Sequence, residues 1–199
     1  MRLNDVVLDI EFEQDARPIL EKPRTFSFSL MERIDVALDE VVQNGIWEEV
    51  HFNKWGTPIV PLVKSEKASF RICGDYSVKV NPVLKNHRQP IPKVDELISY
   101  LNGSYYFSRI DSANAYNQIC LTPQSSSRLA LSTNRGVFLQ NRLPFRIKSA
   151  PEYFQELMSK LTADLKGVAV YFDDILVSGK NYFNDNLSNR KLVKRLEEN

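Results

Sequence analysis

The feature that most constrains the fold is a pair of adjacent carboxylates, Asp173 and Asp174, which stands between two short apolar runs, VAVYF and ILVSG. Runs of this length and composition are typical of buried β-strands, and a two-residue separation predicts a tight hairpin. Like charges a few ångströms apart repel, so such a pair must protonate or bind a cation. Taken alone, Asp-Asp is also an ordinary turn sequence, and that structural interpretation stays open for the dipeptide.

A third carboxylate, Asp111, ends another predicted strand, SYYFSRI, directly before the polar turn SANAYNQI. Three carboxylates at strand ends can hold two magnesium ions about 4 Å apart, the arrangement that supports in-line nucleotidyl transfer. That chemistry also needs cations on the phosphates. Arg71 and Lys64 suit this role because the pattern predicts them at or near one hairpin tip.

The remaining patterns predict one intertwined α+β unit. The sequence from Ser29 to Glu32 reads as a capping box that opens a helix ending at Gly45. The runs TPIVPLV and SFRICGDYSV predict two antiparallel strands, and RLALSTNRGVFLQNRL predicts a hairpin that turns near 134–136. A helix that ends at Gly103 and another that opens at Ala150 complete the prediction.

The formal net charge of +1 conceals a marked asymmetry along the chain. Residues 1–49 hold twelve acids and five bases, residues 64–93 hold seven bases and two acids, and residues 128–148 hold five bases and no acid. Two basic segments can neutralise a phosphate backbone, although charge runs are more often solvated faces.

Composition excludes several other classes. No stretch approaches the length needed to cross a bilayer, and the first residues lack the pattern of a secretory signal, so we expect neither secretion nor a membrane partner. Cys73 and Cys120 lie far apart without a CxxC pattern, and the only histidines are His51 and His87. Neither a zinc site nor a disulfide framework is therefore predicted.

The segment YFDDILVSGK resembles the YxDD box of reverse transcriptases in the form used by Gypsy-type LTR retrotransposons. Four further blocks resemble the same family in the expected order: GIWEEVHFNKWGTPIVPLVK, SFRICGDYSVKVNPVLKNHRQPIPKVDELI, YYFSRIDSANAYNQICL and RLPFRIKSAPEYFQELM. The resemblance implies an α+β right-hand polymerase fold, in which an antiparallel palm sheet carries helices on one face.

The resemblance also implies a domain layout. Residues 1–28 would form an N-terminal extension and residues 29–199 a reverse transcriptase domain, with fingers at about 29–100 and 120–145 and palm at about 101–119 and 146–199. No thumb region is expected within this chain.

Site roles follow from the matching positions. Asp111 and Asp173 match the principal metal ligands, and Asp174 matches the supporting carboxylate. The implied cofactor is a pair of Mg²⁺ ions, with Mn²⁺ as an alternative.

Four further positions match nucleotide-binding residues. Arg71 matches the arginine that contacts the triphosphate, and Lys64 is a looser counterpart of the fingers lysine. Tyr116 matches the aromatic residue that blocks a ribose 2′-hydroxyl, and Phe145 matches a contact to the nucleotide beside the templating pair.

The implied partners are an RNA or DNA template with its primer, deoxynucleoside triphosphates, and the thumb and ribonuclease H regions of a longer polyprotein. The implied location is the cytoplasm, the nucleus or a retroelement particle.

Two departures from the family pattern support an alternative. Arg146 stands where the family has glycine, and we expect its side chain to obstruct the nucleotide; Asn186 stands where histidine is common. The alternative is an inactive retroelement remnant, or a repurposed module that binds nucleic acid or another partner. An unrelated metal-dependent phosphohydrolase would use the same aspartates but leaves the other blocks unexplained.

Overall fold

The structure is a computed structural model that describes residues 3–63, 70–87, 92–112 and 114–198. The α-helices are Phe28–Gln43 (α1), Val94–Leu101 (α2), Pro123–Arg128 (α3), Ala150–Thr162 (α4) and Tyr182–Glu198 (α5). The strands are Leu3–Leu8 (β1), Trp47–Val50 (β2), Thr57–Val63 (β3), Phe70–Gly74 (β4), Tyr106–Asp111 (β5), Ile119–Leu121 (β6), Leu131–Thr133 (β7), Gly136–Gln140 (β8), Val168–Tyr171 (β9) and Asp174–Gly179 (β10). In the described ranges, no helix is long and apolar enough to span a bilayer.

The chain divides into two compact units. The three-stranded unit comprises residues 1–6, 86–118 and 149–199, and the five-stranded unit comprises residues 7–85 and 119–148. The segment 7–28 belongs to the five-stranded unit, where Ile10 and Phe12 are buried. The fingers and palm boundaries expected from the sequence stay a prediction.

The three-stranded unit is built on an antiparallel sheet in the order β5-β10-β9. Ile175 and Val177 are fully buried on one face of β10, where helix α5 packs on the sheet. Helix α4 lies against β9. On the other face, Leu97 and Leu101 of α2 pack against Ala169. The polar residues that form the candidate site lie on this same face as α2, at the β5 side of the sheet.

The turn between β9 and β10 has the predicted length of two residues but lies one position earlier in the chain. Phe172 and Asp173 form the two-residue turn, while Asp174 is the first residue of β10 and pairs with Tyr171. The expectation that both aspartates lie in the turn is therefore wrong by one position. The apolar pattern locates the strands but not the hydrogen-bond register that decides where pairing stops.

The five-stranded unit contains a mixed sheet in the order β2-β8-β7-β3-β4, in which only the pair β3 and β7 is parallel among the pairings described. The predicted antiparallel pairs β3–β4 and β7–β8 are both confirmed. Lys64 and the rest of the β3–β4 turn lie outside the described residues.

Two helix details differ from expectation. Helix α1 begins at Phe28 with Ser27 as its N-cap, and that serine makes no capping hydrogen bond from its side chain, so the capping box predicted at Ser29 is wrong. Helix α4 begins at Ala150 as predicted, but it buries Gln155 as well as its apolar face. Because buried polar side chains are normally hydrogen-bonded, we expect Gln155 to have a hydrogen-bond partner within this unit.

Candidate active site

Asp111 and Asp174 occupy directly opposed positions on neighbouring antiparallel strands. Opposed side chains in such a pair point to the same face, with Cβ atoms about 4.5–5.5 Å apart. Asp111 is exposed and Asp174 is half-buried. Two of the three predicted ligands therefore lie side by side on one face of the sheet.

Asp173 stands at the adjacent turn, where its side chain is exposed. Its carbonyl oxygen accepts a hydrogen bond of 3.2 Å from the amide of Ser112, which ties the turn to the residue after Asp111. In the part of the chain that the structure describes, no three His, Cys, Asp or Glu side chains form a ready-made metal cluster. The convergence of all three carboxylates on one ion stays a prediction.

The turn itself has an uncommon backbone geometry. Phe172 has a φ of 55°, which L-residues with large side chains rarely adopt. A positive φ at the first central residue alone is the pattern of a type II′ turn, in which glycine is preferred. The surrounding structure must therefore hold Phe172 in place.

Gln155 of helix α4 supplies that support. Its Oε1 accepts a hydrogen bond of 2.9 Å from the amide of Phe172, and its Nε2 donates one of 3.0 Å to the carbonyl oxygen of Val170. The Gln155 side chain is 1% exposed. Sequence reasoning missed this residue; the available signal was one amide beside the apolar stripe of a predicted helix.

Arg109 is a second residue that sequence reasoning missed. Its Nε donates to Asp174 Oδ1 at 2.9 Å and its Nη2 donates to Asp174 Oδ2 at 3.1 Å. The signal was present in the sequence, because Arg109 precedes Asp111 by two positions and residues i and i+2 of a strand share a face.

The donor set suits magnesium or manganese. Asp111, Asp173 and Asp174 offer carboxylate oxygens, the ligand type that hard divalent cations prefer. Cross-strand placement at the ends of a packed sheet gives such ligands a rigid base. These residues fit the implied ions in ligand type and, for Asp111 and Asp174, in placement.

Tyr116 lies in the short 3₁₀ turn Ala115–Gln118 and is half-buried. Its ring meets the ring of Phe154 edge-on, with centroids 5.6 Å apart. Burial raises the pKa of the Tyr116 phenol, and the negative charges of Asp173 and Glu152 raise it further. The hydroxyl therefore stays protonated at neutral pH and lies within electrostatic range of the carboxylate turn.

Arg71 and Phe145 lie together in the five-stranded unit. The Arg71 guanidinium carbon is 4.5 Å from the centroid of the Phe145 ring, the geometry of a cation–π contact. The structure thus brings together two of the four residues predicted to bind nucleotide. Lys64, the third, lies outside the described residues.

Arg146, the residue at the family's glycine position, has a φ of 71°. Asn81 holds the backbone that follows Arg146: its Nδ2 donates to the Arg146 carbonyl oxygen at 2.9 Å, and its Oδ1 accepts from the Lys148 amide at 2.9 Å. A left-handed conformation is the reason a glycine suits this position.

The Arg146 side chain is exposed, and its charge acts on Asp75. The hydrogen bond from Ser77 lowers the pKa of the Asp75 carboxyl, and the positive charges of Arg24 and Arg146 lower it further. The predicted obstruction of a nucleotide by Arg146 stays a prediction.

Comparison with known proteins bears on the whole arrangement. The chain matches the family described as "Reverse transcriptase (RNA-dependent DNA polymerase)" across residues 64–198. It is 32% identical over 187 residues to "Uncharacterized protein K02A2.6" of Caenorhabditis elegans, covering 94% of this chain and 15% of that protein. It is 30% identical over 166 residues to "Retrovirus-related Pol polyprotein from transposon 297" of Drosophila melanogaster, covering 80% of this chain and 16% of that protein. The chain thus spans a small part of the length of these relatives.

Solved structures agree on the fold. The crystal structure of a prototype foamy virus protease-reverse transcriptase mutant superposes with a TM-score of 0.83 at 20% identity, covering 98% of this chain and 27% of that one. A foamy viral protease-reverse transcriptase in complex with an RNA/DNA hybrid gives a TM-score of 0.81 at 20% identity, covering 97% of this chain and 27% of that one. The predicted α+β fold of polymerase fingers and palm is therefore confirmed.

Proposed function

Because this chain belongs to the reverse transcriptase (RNA-dependent DNA polymerase) family, we propose that it transfers deoxynucleoside monophosphates onto the 3′-hydroxyl of a primer. The template is RNA or DNA. The observation that carries the proposal is the cross-strand pair of Asp111 and Asp174 beside the turn that presents Asp173.

In this proposal Asp111, Asp173 and Asp174 hold two Mg²⁺ ions. Such ions, when bound, activate the attacking hydroxyl and neutralise charge on the triphosphate and its leaving group. The chain's own contribution is to place carboxylate oxygens on one face of a packed sheet, with Gln155 holding the turn between β9 and β10. Two opposed carboxylates repel each other, and this repulsion favours occupation by a divalent cation.

Nucleotide binding is proposed for residues outside the carboxylate group. Arg71 would bind phosphate oxygens through its planar guanidinium, and the Phe145 ring would orient it by the cation–π contact. Lys64 would add a second cation. The half-buried Tyr116 ring would exclude a ribose 2′-hydroxyl by steric contact and so select deoxynucleotides.

The proposed partners are a primed template and deoxynucleoside triphosphates, with thumb and ribonuclease H regions supplied by a longer polyprotein. The foamy viral protein whose structure resembles this chain was solved in complex with an RNA/DNA hybrid, which supports a nucleic-acid partner here. The basic segments 64–93 and 128–148 suit a phosphate backbone.

Primer extension on an RNA template tests this function. The purified chain, given Mg²⁺ and four deoxynucleoside triphosphates, should extend a labelled primer, and Asp111→Asn should reduce extension by at least a hundredfold, as the loss of a charge-stabilising group does elsewhere. Asp164→Asn is the matched control, since Asp164 is an exposed carboxylate of the same unit that pairs with Arg195. Extension that survives Asp111→Asn would refute the assignment.

A non-catalytic nucleic-acid-binding role is the second candidate. The left-handed backbone of Arg146, at the family's glycine position, favours it because that residue adds strain and a bulky cation. Binding of a primed RNA/DNA duplex with no extension under any metal condition would support this candidate over the polymerase.

A further inference from the structure

Arg109 places a permanent positive charge on the carboxylate-bearing face of the sheet. It lies in β5 opposite Leu176, with Asp111 and Asp174 as the next opposed pair on the same face. Its side chain is 67% exposed, so packing in the interior does not account for its position. A guanidinium does not lose its proton in proteins, so this charge persists at every accessible pH.

The contact between Arg109 and Asp174 is bidentate. Distances of 2.9 Å from Nε to Oδ1 and 3.1 Å from Nη2 to Oδ2 mean that both carboxylate oxygens of Asp174 accept a hydrogen bond from one guanidinium. This geometry is directional as well as electrostatic, and it fixes the rotamer of the carboxylate.

The same guanidinium acts on all three carboxylates. Its pKa is raised first by the hydrogen bond and charge of Asp174, and also by the charges of Asp111 and Asp173. Arg109 therefore lies within electrostatic range of every residue proposed to hold metal.

We propose that Arg109 is the built-in counter-ion of the carboxylate site: it holds Asp174 in the absence of metal and competes with divalent cations for that residue. This inference rests on the proposed function, because it assumes that these carboxylates hold metal. It makes Arg109 a positioning residue that sets the metal affinity of the site.

Two effects of opposite sign follow. Without metal, the guanidinium offsets the repulsion between Asp111 and Asp174, so the hairpin stays folded with its carboxylates in place. When metal binds, the positive charge of Arg109 repels the incoming cation. The guanidinium must then share the carboxylate oxygens of Asp174 with the metal or release them. Removing the positive charge of Arg109 should thus lower the stability of the metal-free protein and raise its affinity for divalent metal.

Substitution of Arg109 by glutamine separates these effects. We expect Arg109→Gln to bind Mn²⁺ about three- to tenfold more tightly, as measured by electron paramagnetic resonance and calorimetry, the order expected for one exposed charge at moderate salt. Its thermal unfolding midpoint in EDTA should fall below that of the wild-type chain. Saturating Mg²⁺ should close this gap.

Two variants serve as controls. Arg195→Gln removes a guanidinium that binds both carboxylate oxygens of the exposed Asp164 in the same unit. Asp164 is not one of the proposed metal ligands, so this variant should leave Mn²⁺ affinity unchanged. Arg109→Lys keeps the positive charge but loses the paired hydrogen bonds of the guanidinium, so its Mn²⁺ affinity should lie between those of the wild type and Arg109→Gln.

The outcomes distinguish this inference from the proposed function. If Asp173→Asn abolishes Mn²⁺ binding but Arg109→Gln binds no more tightly than the wild type, the metal site stands and the counter-ion assignment is overturned. Unchanged metal affinity together with weaker binding of a primed duplex would overturn it equally, because Arg109 would then be a phosphate contact. If no variant shows aspartate-dependent Mn²⁺ binding, both the metal site and the counter-ion role are overturned.

Discussion

The amide of Phe172 donates a hydrogen bond of 2.9 Å to Gln155 Oε1, which joins helix α4 to the turn that presents Asp173. The same side chain donates to the carbonyl oxygen of Val170 at 3.0 Å. Gln155 thus satisfies a donor and an acceptor on either side of Tyr171, at a backbone whose φ of 55° is unfavourable for phenylalanine.

Gln155→Leu should loosen this turn. Leucine keeps the volume but leaves the Phe172 amide and the Val170 carbonyl without their partner, at a cost of about 2 kcal/mol in the free energy of unfolding. Hydrogen exchange measured by mass spectrometry should show faster exchange across residues 168–176, with loss of primer extension.

Gln140→Leu is the matched control for that variant. Gln140 is 2% exposed and donates to the Arg142 carbonyl oxygen at 2.7 Å, but it belongs to the five-stranded unit. It should destabilise the protein without changing exchange at 168–176. Equal exchange at 168–176 in both variants would show that Gln155 has no special role at the turn.

Arg146→Gly should stabilise the protein. The φ of 71° costs an L-residue about 1 kcal/mol that glycine does not incur, although glycine gives back part of this through the greater freedom of the unfolded chain. We expect a higher urea midpoint for Arg146→Gly, together with at least tenfold more primer extension if the arginine also obstructs the nucleotide, which corresponds to about 1.4 kcal/mol in the barrier.

Arg146→Ala separates backbone strain from side-chain effects. Alanine removes the guanidinium but keeps the Cβ, so its urea midpoint should stay near that of the wild-type chain. If alanine stabilises as much as glycine, the backbone conformation is not the cause. If alanine restores extension as fully as glycine, obstruction by the side chain is the defect.

Tyr116→Ala should weaken sugar discrimination. Without the ring, a ribose 2′-hydroxyl meets no steric barrier, so the ratio of ribonucleotide to deoxynucleotide incorporation should rise at least tenfold. Tyr116→Phe keeps the ring and its edge contact with Phe154 and should discriminate as the wild type does. An unchanged ratio in Tyr116→Ala would leave the ring with a packing role alone.

Asp9 should make the free energy of unfolding fall as the pH becomes acidic. Its Oδ1 accepts hydrogen bonds from Thr122 Oγ1 at 2.6 Å and from Ser125 Oγ at 2.8 Å, and these bonds lower the pKa of the Asp9 carboxyl. A lowered folded-state pKa gives stability that is present above the unfolded pKa, near 4, and is lost as the pH falls through the folded value.

Asp9→Asn should therefore lower the thermal midpoint at pH 7. The loss in the free energy of unfolding should be less than about 1 kcal/mol, because the Asp9 carboxyl is exposed. The difference from wild type should shrink below about pH 4. Asp15→Asn alters an exposed carboxyl of the same segment and should change little at either pH. A difference that grows on acidification would contradict this role of Asp9.

The sequence alone predicted the strands that carry the candidate site and the three aspartates proposed for it. Strand alternation, apolar runs and turn composition are local properties, so β5, β9 and β10 could be predicted without coordinates. The family resemblance supplied the right-hand polymerase fold, which the comparisons confirm.

Only the tertiary structure decided which aspartate faces Asp111, which residues form the turn, and what holds them. The register pairs Asp111 with Asp174 and leaves Phe172 and Asp173 as the loop. Gln155 and Arg109 complete the arrangement through contacts with residues of β9, the turn and β10. A register depends on hydrogen bonds between segments distant in the chain and on helices packed across them, and no local pattern encodes it.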